Sequence, residues 1–591
     1  MQKRKNQGQS LLSGAMLLMF TTTLVHVINI FYKIPITNII GEVGRGYFTS
    51  AYELYTPIYA ISMAGLPIAV SKMISERMAT GRYREVRKIR NVAKNLFLIT
   101  GIGGTLIILA LAYPFSHYII GSPNTFYSIL LIAPSIFFCC MMSTYRGYYE
   151  GLRNMAPTGF SQVFETIGKL VFGILLSKIV LDKAFMEYSS FGTVFGKSCA
   201  GAEEVVLLAA PYSSAAAISG VTIGTILGLI YLVVLHRTKG DGITSEQLET
   251  SPNPDSVKSL TKKLFNTVVP VATSALVLNI TNLIDTTTVQ ARLKYATLIG
   301  ETTLREIYPQ LDAMNIKTED IKDFLYGCYG IGLDFRGLIP SVVMTLGISA
   351  IPVLSASFVT KDHDKMENAI RVVIKTAIVL AAPAGFVMGV LSEPLLKIMY
   401  PTSLSVPISA PFVAIFGYFA LLISISAPIN NMLQAIGRAD VPVKSLIVGA
   451  TAKIICNFIL VGIPSINIFG APIGTLLFYF IVVGNNLRVL LKETGTKLKL
   501  FDNIVRPIAV GVLTGGFSWL VFDLLNANIV FGDPNSRLNG SSVSCLITLI
   551  LSVIIWAILL PLFKVLTKND IISSTKGQKM LKVLEKLHLI R

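Results

Sequence analysis

The chain has 591 residues, of which 52% are apolar and only 14% charged, with a formal net charge of +18. Soluble globular domains carry about 25% charged residues, so water is not the main solvent for this chain. A surplus of Lys and Arg would suit a nucleic-acid binder, but here it alternates from loop to loop as membrane topology requires, which excludes that class.

A helix needs about 20 apolar residues to cross a bilayer core of roughly 30 Å. Stretches of that kind lie near 11–32, 47–71, 95–113, 126–145, 158–181 and 213–235, then near 264–284, 337–357, 370–391, 408–433, 442–464 and 470–487, and finally near 507–525 and 541–563. The expected fold is all-α, a polytopic membrane protein with about 14 transmembrane helices. If Lys3, Arg4 and Lys5 are cytoplasmic, so is the loop carrying Lys72, Arg77, Arg82, Arg84, Arg87, Lys88, Arg90 and Lys94, whereas the next loop, 113–126, has no Lys or Arg. Both termini are expected in the cytoplasm of a bacterial plasma membrane. The first apolar run lacks a small-residue cleavage site and reads as the first helix rather than a signal peptide. The six cysteines, Cys139 and Cys140 among them, form no C-x-x-C pair and read as small core residues.

A polar stretch with Ser251, Pro252, Asn253 and Pro254 divides the chain. It gives an N-terminal six-helix lobe at 1–236, a cytoplasmic linker at 237–263 and a C-terminal six-helix lobe at 264–490. At a shift of 285 residues Pro67 meets Pro352, Gly104 meets Gly389, Arg153 meets Arg438, Pro157 meets Pro442 and Thr166 meets Thr451. With an even number of helices per half, this implies a parallel repeat, a design that places substrate between the halves. The second lobe carries an insertion at 291–330, expected as an external, partly helical cap. An extra helix pair at 491–565 and a basic cytoplasmic tail at 566–591 follow, and the pair reads either as packing or as a lipid-facing groove.

Catalytic and energy-coupling motifs are decoys. Gly196, Lys197 and Ser198 end like a phosphate loop, but Phe191 stands where its first glycine is required. Asp362 and Asp364 flank His363 in a charged loop, where such a triplet is common. The five histidines have no zinc-site spacing. Neither an enzyme nor a cofactor or metal is expected.

Ionisable residues at membrane depth are costly and mark functional candidates. Here they are mostly basic: Lys33, Arg45, Lys169, Arg336, Lys375 and Lys453, against Glu53, Glu150, Glu165 and Asp285. A cavity lined by such cations suits a phosphate or diphosphate. Other readings stand beside this one. Glu165 and Lys169, four residues apart, are placed to neutralise each other. Lys33, Lys375 and Arg336 lie near helix ends, where they can reach the headgroups. Asn279, Asn282 and Asp285 share one helix face, suited to pairing with a Lys or to binding a coupling cation.

The run from Tyr145 through Arg146, Gly147, Tyr148, Tyr149, Glu150 and Gly151 to Asn154, Met155, Pro157, Thr158, Ser161, Gln162 and Val163 resembles a pattern of the stage V sporulation protein B family. Gly65 to Lys72, after Ile40, Gly41, Gly46 and Tyr47, resembles that family's second-helix region. The family belongs to the multidrug/oligosaccharidyl-lipid/polysaccharide exporter superfamily, with polysaccharide flippases and MurJ-type lipid II flippases as relatives. The resemblance implies two lobes around a cationic cavity, with an extra helical pair sheltering a polyprenyl tail. It also implies functional basic residues at Lys33 and Arg336; the family's second-helix arginine has no match here, since Glu53, Tyr55 and Tyr59 occupy that region.

The function expected is therefore a flippase for an undecaprenyl-diphosphate-linked sugar, with lipid II foremost, in peptidoglycan synthesis or sporulation. Lys33, Arg45 and Arg336 would hold phosphate oxygens, and Lys169 and Lys453 would add to the field. Asp285, Glu53 and Glu165 are the candidates for ion coupling or charge pairing. Candidate partners are the polyprenyl-diphosphate-linked glycan, membrane lipids, a monovalent cation and proteins of cell-wall synthesis. The rivals are a cation-coupled multidrug exporter, a flippase for another polysaccharide-linked lipid, a membrane scaffold and an integral glycosyltransferase using Asp362 and Asp364.

Overall fold

A computed structural model describes residues 11–63, 66–343, 354–355, 357–358, 360–533 and 536–565. The basic start, Pro352, most of the eighth expected span and the tail at 566–591 lie outside the described residues. Helix α1 (Leu11–Met63) is followed by α2 (Leu66–Ala79), α3 (Tyr83–Pro114), α4 (Thr125–Ile132), α5 (Pro134–Gly151), α6 (Ala156–Phe191) and α7 (Ala202–Lys239). Next come α8 (Ser245–Glu249), α9 (Val257–Ile307), α10 (Gln310–Ala313) and α11 (Ile321–Arg336). The second half continues with α12 (His363–Val390), α13 (Ser392–Met399), α14 (Val406–Tyr418), α15 (Ala420–Ala435), α16 (Asp440–Leu460) and α17 (Gly470–Thr494), and ends with α18 (Arg506–Asn528) and α19 (Gly540–Leu562). The strands among the described residues are one small hairpin, β1 (Thr193–Val194) with β2 (Lys197–Ser198), which absorbs the apparent phosphate loop.

The protein is an all-α polytopic membrane protein. Among the described residues eight stretches are long and apolar enough to cross a bilayer, nine if α14 and α15, bent by 47°, count as one. Helices α1, α6 and α9 fall outside those eight, and they carry Lys33, Arg45, Glu53, Glu165, Lys169 and Asp285.

The chain divides into two compact units, one of Met1–Thr297 with Leu311–Gly327, the other of Leu298–Gln310 with Cys328–Arg591. In the first unit, α1 breaks at Gly41, whose φ of 68° is a backbone state that side chains resist. The segment 311–327, part of the expected cap, is partly helical and docks on the start of the second half of α1. A Cβ at Gly46 would strike the Asp323 carbonyl, and one at Gly327 the Glu42 carbonyl, so both positions need glycine. The Tyr47 hydroxyl donates to Asp320 at 3.2 Å and accepts from Asn124 at 3.2 Å. Ser122 donates to Asp323 at 3.0 Å, Lys322 pairs with Asp323 at 2.9 Å, and Lys317 reaches Glu204 of α7 at 3.2 Å.

The linker is not a slack tether but a strap on the first unit. Arg87 holds Asp241 with two bonds of 3.0 and 3.1 Å, and the Tyr148 hydroxyl donates to the same carboxylate at 2.9 Å. Arg84 donates to the Leu248 carbonyl at 2.7 Å, and Arg82 bonds Asp255 at 2.9 Å. Glu85, fully buried, takes Arg77 at 2.7 Å and Arg82 at 2.6 Å. Much of the positive charge on the α2–α3 loop is thus satisfied within the unit.

Two corners recur in the two halves. After α2, Gly81 and Arg82 donate to the carbonyls of Met78 and Arg77; before α12, Lys361 and Asp362 donate to those of Phe358 and Ser357, at a shift of 280. After α5, Leu152, Arg153 and Asn154 donate to Tyr148, Glu150 and Tyr149; after α15, Ile436, Gly437 and Arg438 donate to Met432, Gln434 and Leu433, at a shift of 284. The left-handed residue is glycine in one copy of each corner and basic in the other: Gly81 and Lys361, Arg153 and Gly437. The shift of 285 read from matching letters is therefore one residue too long at the second corner, where Arg153 corresponds to Gly437 rather than Arg438. A non-glycine residue held left-handed costs about 1–2 kcal/mol, partly offset by glycine's greater freedom when unfolded. Arg153→Gly and Lys361→Gly, both at exposed sites, should each raise thermal stability in detergent by up to about 1 kcal/mol, and a fall in the melting temperature would contradict the assigned corners.

Burial, and then the nearby Asp323 charge, push the Asp320 carboxyl up to about 6, against the opposing pull of the Tyr47 hydrogen bond and Lys322. A carboxyl raised in the folded state stabilises docking below its unfolded value and loses that contribution as pH rises through the folded one. Amide protection of 311–327 should therefore fall between about pH 4 and 6, and Asp320→Asn should flatten the change when hydrogen exchange is followed peptide by peptide.

Candidate functional site: cations among aromatic rings

The second half of α1 carries Phe48, Tyr52, Tyr55 and Tyr59, a spacing that puts all four on one helix face. Their rings form a ladder with successive centroids 6.2, 5.7 and 5.2 Å apart. Arg45, 3% exposed, precedes the ladder by one turn and lies 5.5 Å from the Phe48 ring. Lys169 of α6 is half-buried and lies 4.8 Å from the Tyr32 ring and 5.5 Å from the Tyr52 ring, with its ammonium donating to Asn29 at 3.2 Å. Aromatic faces attract a cation through the negative charge of the ring face.

The Tyr32 hydroxyl donates to the Ala217 carbonyl of α7 at 3.1 Å, and the ring edge fits over Gly173, where a Cβ would come within 2.8 Å. The surrounding α6–α7 contact is made by glycines. Gly220, Gly224 and Gly228 repeat every fourth residue along α7. A Cβ on Gly220 would stand 2.6 Å from the Gly173 backbone, one on Gly228 would come within 2.8 Å of the Met142 sulfur, and one on Gly224 would strike the Glu165 carbonyl. Small residues at this spacing let membrane helices touch along their backbones. This repeat is legible in the sequence and escaped the reading above.

Glu165 does not pair with Lys169. Its carboxylate takes the Arg146 guanidinium at 2.9 Å, and the same arginine donates to the Ser161 hydroxyl at 2.8 Å. Glu53 is half-buried on α1, as is Lys33, which lies one turn beyond Asn29. Asp285 is buried on α9, with Thr286 beside it accepting from the Tyr326 hydroxyl at 3.0 Å and Gln290 donating to Ser50. Of the polar face proposed there, Asn279 is half-buried and Asn282 exposed.

Arg336 and Lys453 belong to the second unit. Arg336 ends α11 with its guanidinium carbon 6.0 Å from the Phe416 ring, and Lys453 is 5% exposed on α16. This unit also holds an almost wholly apolar cavity of about 500 Å³, lined by Val342, Met388, Leu549, Val553 and Trp556 among others, with Thr514 and Ser552 at its wall. Helices α18 and α19 supply one side of it. Gly511 and Gly515 let α18 lie close on α12, where added Cβ atoms would stand 2.7 and 2.8 Å from Ala382 and Phe386. Asp362, offered as a metal ligand in the glycosyltransferase reading, caps α12 by accepting the Lys365 amide.

A polysaccharide biosynthesis protein family model matches residues 11–208, and a MatE model matches 327–459. Lipid II flippase MurJ of Bacillus subtilis (strain 168) is 24% identical over 86% of this chain and 89% of its own length. Stage V sporulation protein B of the same organism is 21% identical over 79% of this chain and 80% of its own. This chain is a homologue of both. Its fold is that of a solved lipid II flippase MurJ, with a TM-score of 0.55 and 16% identity over 93% of this chain and 98% of the other.

The glycine contact yields a direct test. Gly224→Val should push α6 off α7 and lower thermal stability by about 1–3 kcal/mol, the usual cost of overpacking. Gly484, whose added Cβ would meet open space, is the control; equal losses from Gly224→Val and Gly484→Val would refute the close contact.

Proposed function

We propose that this protein is a flippase that moves an undecaprenyl-diphosphate-linked sugar, with lipid II as the favoured cargo, from the inner to the outer leaflet. The observation that carries the reading is the placing of Lys169 and Arg45 among aromatic rings on apolar helices. Cations retained at membrane depth suit an anionic headgroup. Both curated homologues and the polysaccharide biosynthesis match support it. In this reading Lys33, Arg45 and Arg336 hold phosphate oxygens, Lys169 and Lys453 add to the field, and the apolar cavity beside α18 and α19 shelters part of the prenyl tail. The termini are cytoplasmic and the 311–327 segment faces outward, following the alternation of basic loops.

Transport without nucleotide is energetically feasible. An inside-negative potential contributes about 2.3 kcal/mol per charge per 100 mV, so a headgroup with roughly two negative charges gains at most about 4–5 kcal/mol on moving outward. The MatE match over 327–459 favours a second reading, a cation-coupled multidrug exporter. That reading calls for an acidic, drug-accepting cavity and predicts drug resistance on overexpression. The deciding measurement is lipid II accessibility at the outer leaflet of cells depleted of their own flippase. Rescue by this chain, lost in Lys33→Ala and Arg336→Ala variants that still insert, is the expected result. Well-inserted protein without rescue would overturn lipid II as cargo, and full activity in both variants would overturn the roles of those residues.

A further inference from the structure

The last turn of α7 runs into the strap, and His236 stands at that junction, just past the expected span at 213–235. Both nitrogens of its ring are engaged. Nδ1 lies 3.0 Å from the Tyr149 hydroxyl, and Nε2 is in direct contact with Nη1 of Arg90. A hydroxyl has one proton, and Tyr149 gives its proton to the Gly240 carbonyl at 3.0 Å. The Tyr149 oxygen therefore accepts from the imidazole, which puts the ring proton on Nδ1 and leaves Nε2 as an acceptor. A guanidinium has donors and no acceptor, so the Arg90 contact holds only while Nε2 carries no proton. The arrangement requires a neutral histidine in one defined tautomer.

We propose that His236 is a pH-sensitive latch for the strap: neutral, it joins Arg90 to Tyr149 and so to Gly240; protonated, it turns an N–H against the guanidinium and releases that end of the strap. Three elements face the ring. From α5, Tyr145, Tyr148 and Tyr149 surround it with centroids 5.5, 6.0 and 5.9 Å away. From α3 come the cations Arg90 and Arg87, and from the strap the anion Asp241. Arg237 and Lys239 of α7 itself are exposed. Asp241 is of the sign that would welcome an imidazolium, but its carboxylate already takes two bonds from Arg87 and one from Tyr148. Arg90 touches the ring, and like charges in contact repel more strongly in half-buried surroundings than in water. The bonds that fasten Gly240 and Asp241 follow directly on the histidine, so displacement of its ring passes straight into the strap. Because the strap leads from α7 to α9, acid at the end expected to be cytoplasmic loosens the link between the two halves of the chain.

The test uses purified full-length protein in nanodiscs and follows amide hydrogen exchange of 240–255, corrected for intrinsic rates, at about pH 7.5 and about pH 5.5, on either side of the usual histidine value. Wild-type protection should fall by about threefold or more at the lower value, since the fastened state binds fewer protons than the released one. Asp241 does not supply this change. Burial raises its carboxyl, yet hydrogen bonds from Arg87, the Ile243 amide and Tyr148 hold it below the ordinary value, so it stays ionised across the window. His236→Gln, whose amide oxygen can accept from Arg90 without titrating, should keep the strap protected at both values. Arg90→Gln should also keep it protected in acid, because its amide oxygen can accept from an imidazolium. Equal wild-type protection at the two values would overturn the proposal. So would an acid loss that persists in His236→Gln, which would assign the effect to another group. Should His236→Gln leave the strap unprotected at both values, Arg90→Gln decides: protection kept in acid supports the latch, and a loss as large as in wild type overturns it.

Discussion

The backbone contact between α6 and α7 governs the first unit. Without apolar solvation to drive helices together in lipid, association rests on van der Waals packing, and packing is best where no side chain intervenes. Gly168, Gly173, Gly220, Gly224 and Gly228 bring the two backbones together, and the ring of Tyr32 is seated in the same seam. Because Lys169 lies on this seam and over that ring, its position depends on the glycines that form the seam. The break at Gly41 then delivers the other half of the arrangement, a ladder of aromatic rings that begins with Phe48 one turn after Arg45.

Electrostatics in this unit follows one rule at two depths. At the cytoplasmic end expected from topology, arginines of α3 and of the turn before it are satisfied by Asp241, Asp255, Glu85 and carbonyls of the strap. Deeper in, Arg146 satisfies Glu165. In both places arginine does the pairing, as its fixed, forked donors suit.

The sequence conveyed the architecture because hydropathy and loop charge are summed over many residues and tolerate local error. The resemblance at Arg146 to Val163 pointed to the right relatives for the same reason: several residues had to agree at once. It did not reveal that Arg146 and Glu165 meet, since they are 19 residues apart across a corner and helical spacing favoured Lys169 as partner. The sequence marks 237–263 as a linker because Ser, Pro and Asn mark loops, without saying whether a loop is bound. The repeat was sensed from Pro, Gly and Arg, yet its register slipped, because the shared feature is a left-handed backbone residue and two different residue types occupy it.

The corners make the two halves commensurable, and one length then stands out. From the start of α4 to its following corner the chain runs from Thr125 to Arg153; from the start of α14 it runs from Val406 to Gly437, three residues longer. Three residues add roughly 4.5 Å of helix, close to one turn more than the earlier copy needs. A bilayer has one thickness for both, so the longer copy faces a hydrophobic mismatch that tilting or kinking relieves. The α4–α5 stretch serves as one span, while α14 and α15 meet at 47° with Phe419 between them. The second half thus has a bent helix pair where the first has the continuous α4–α5 stretch.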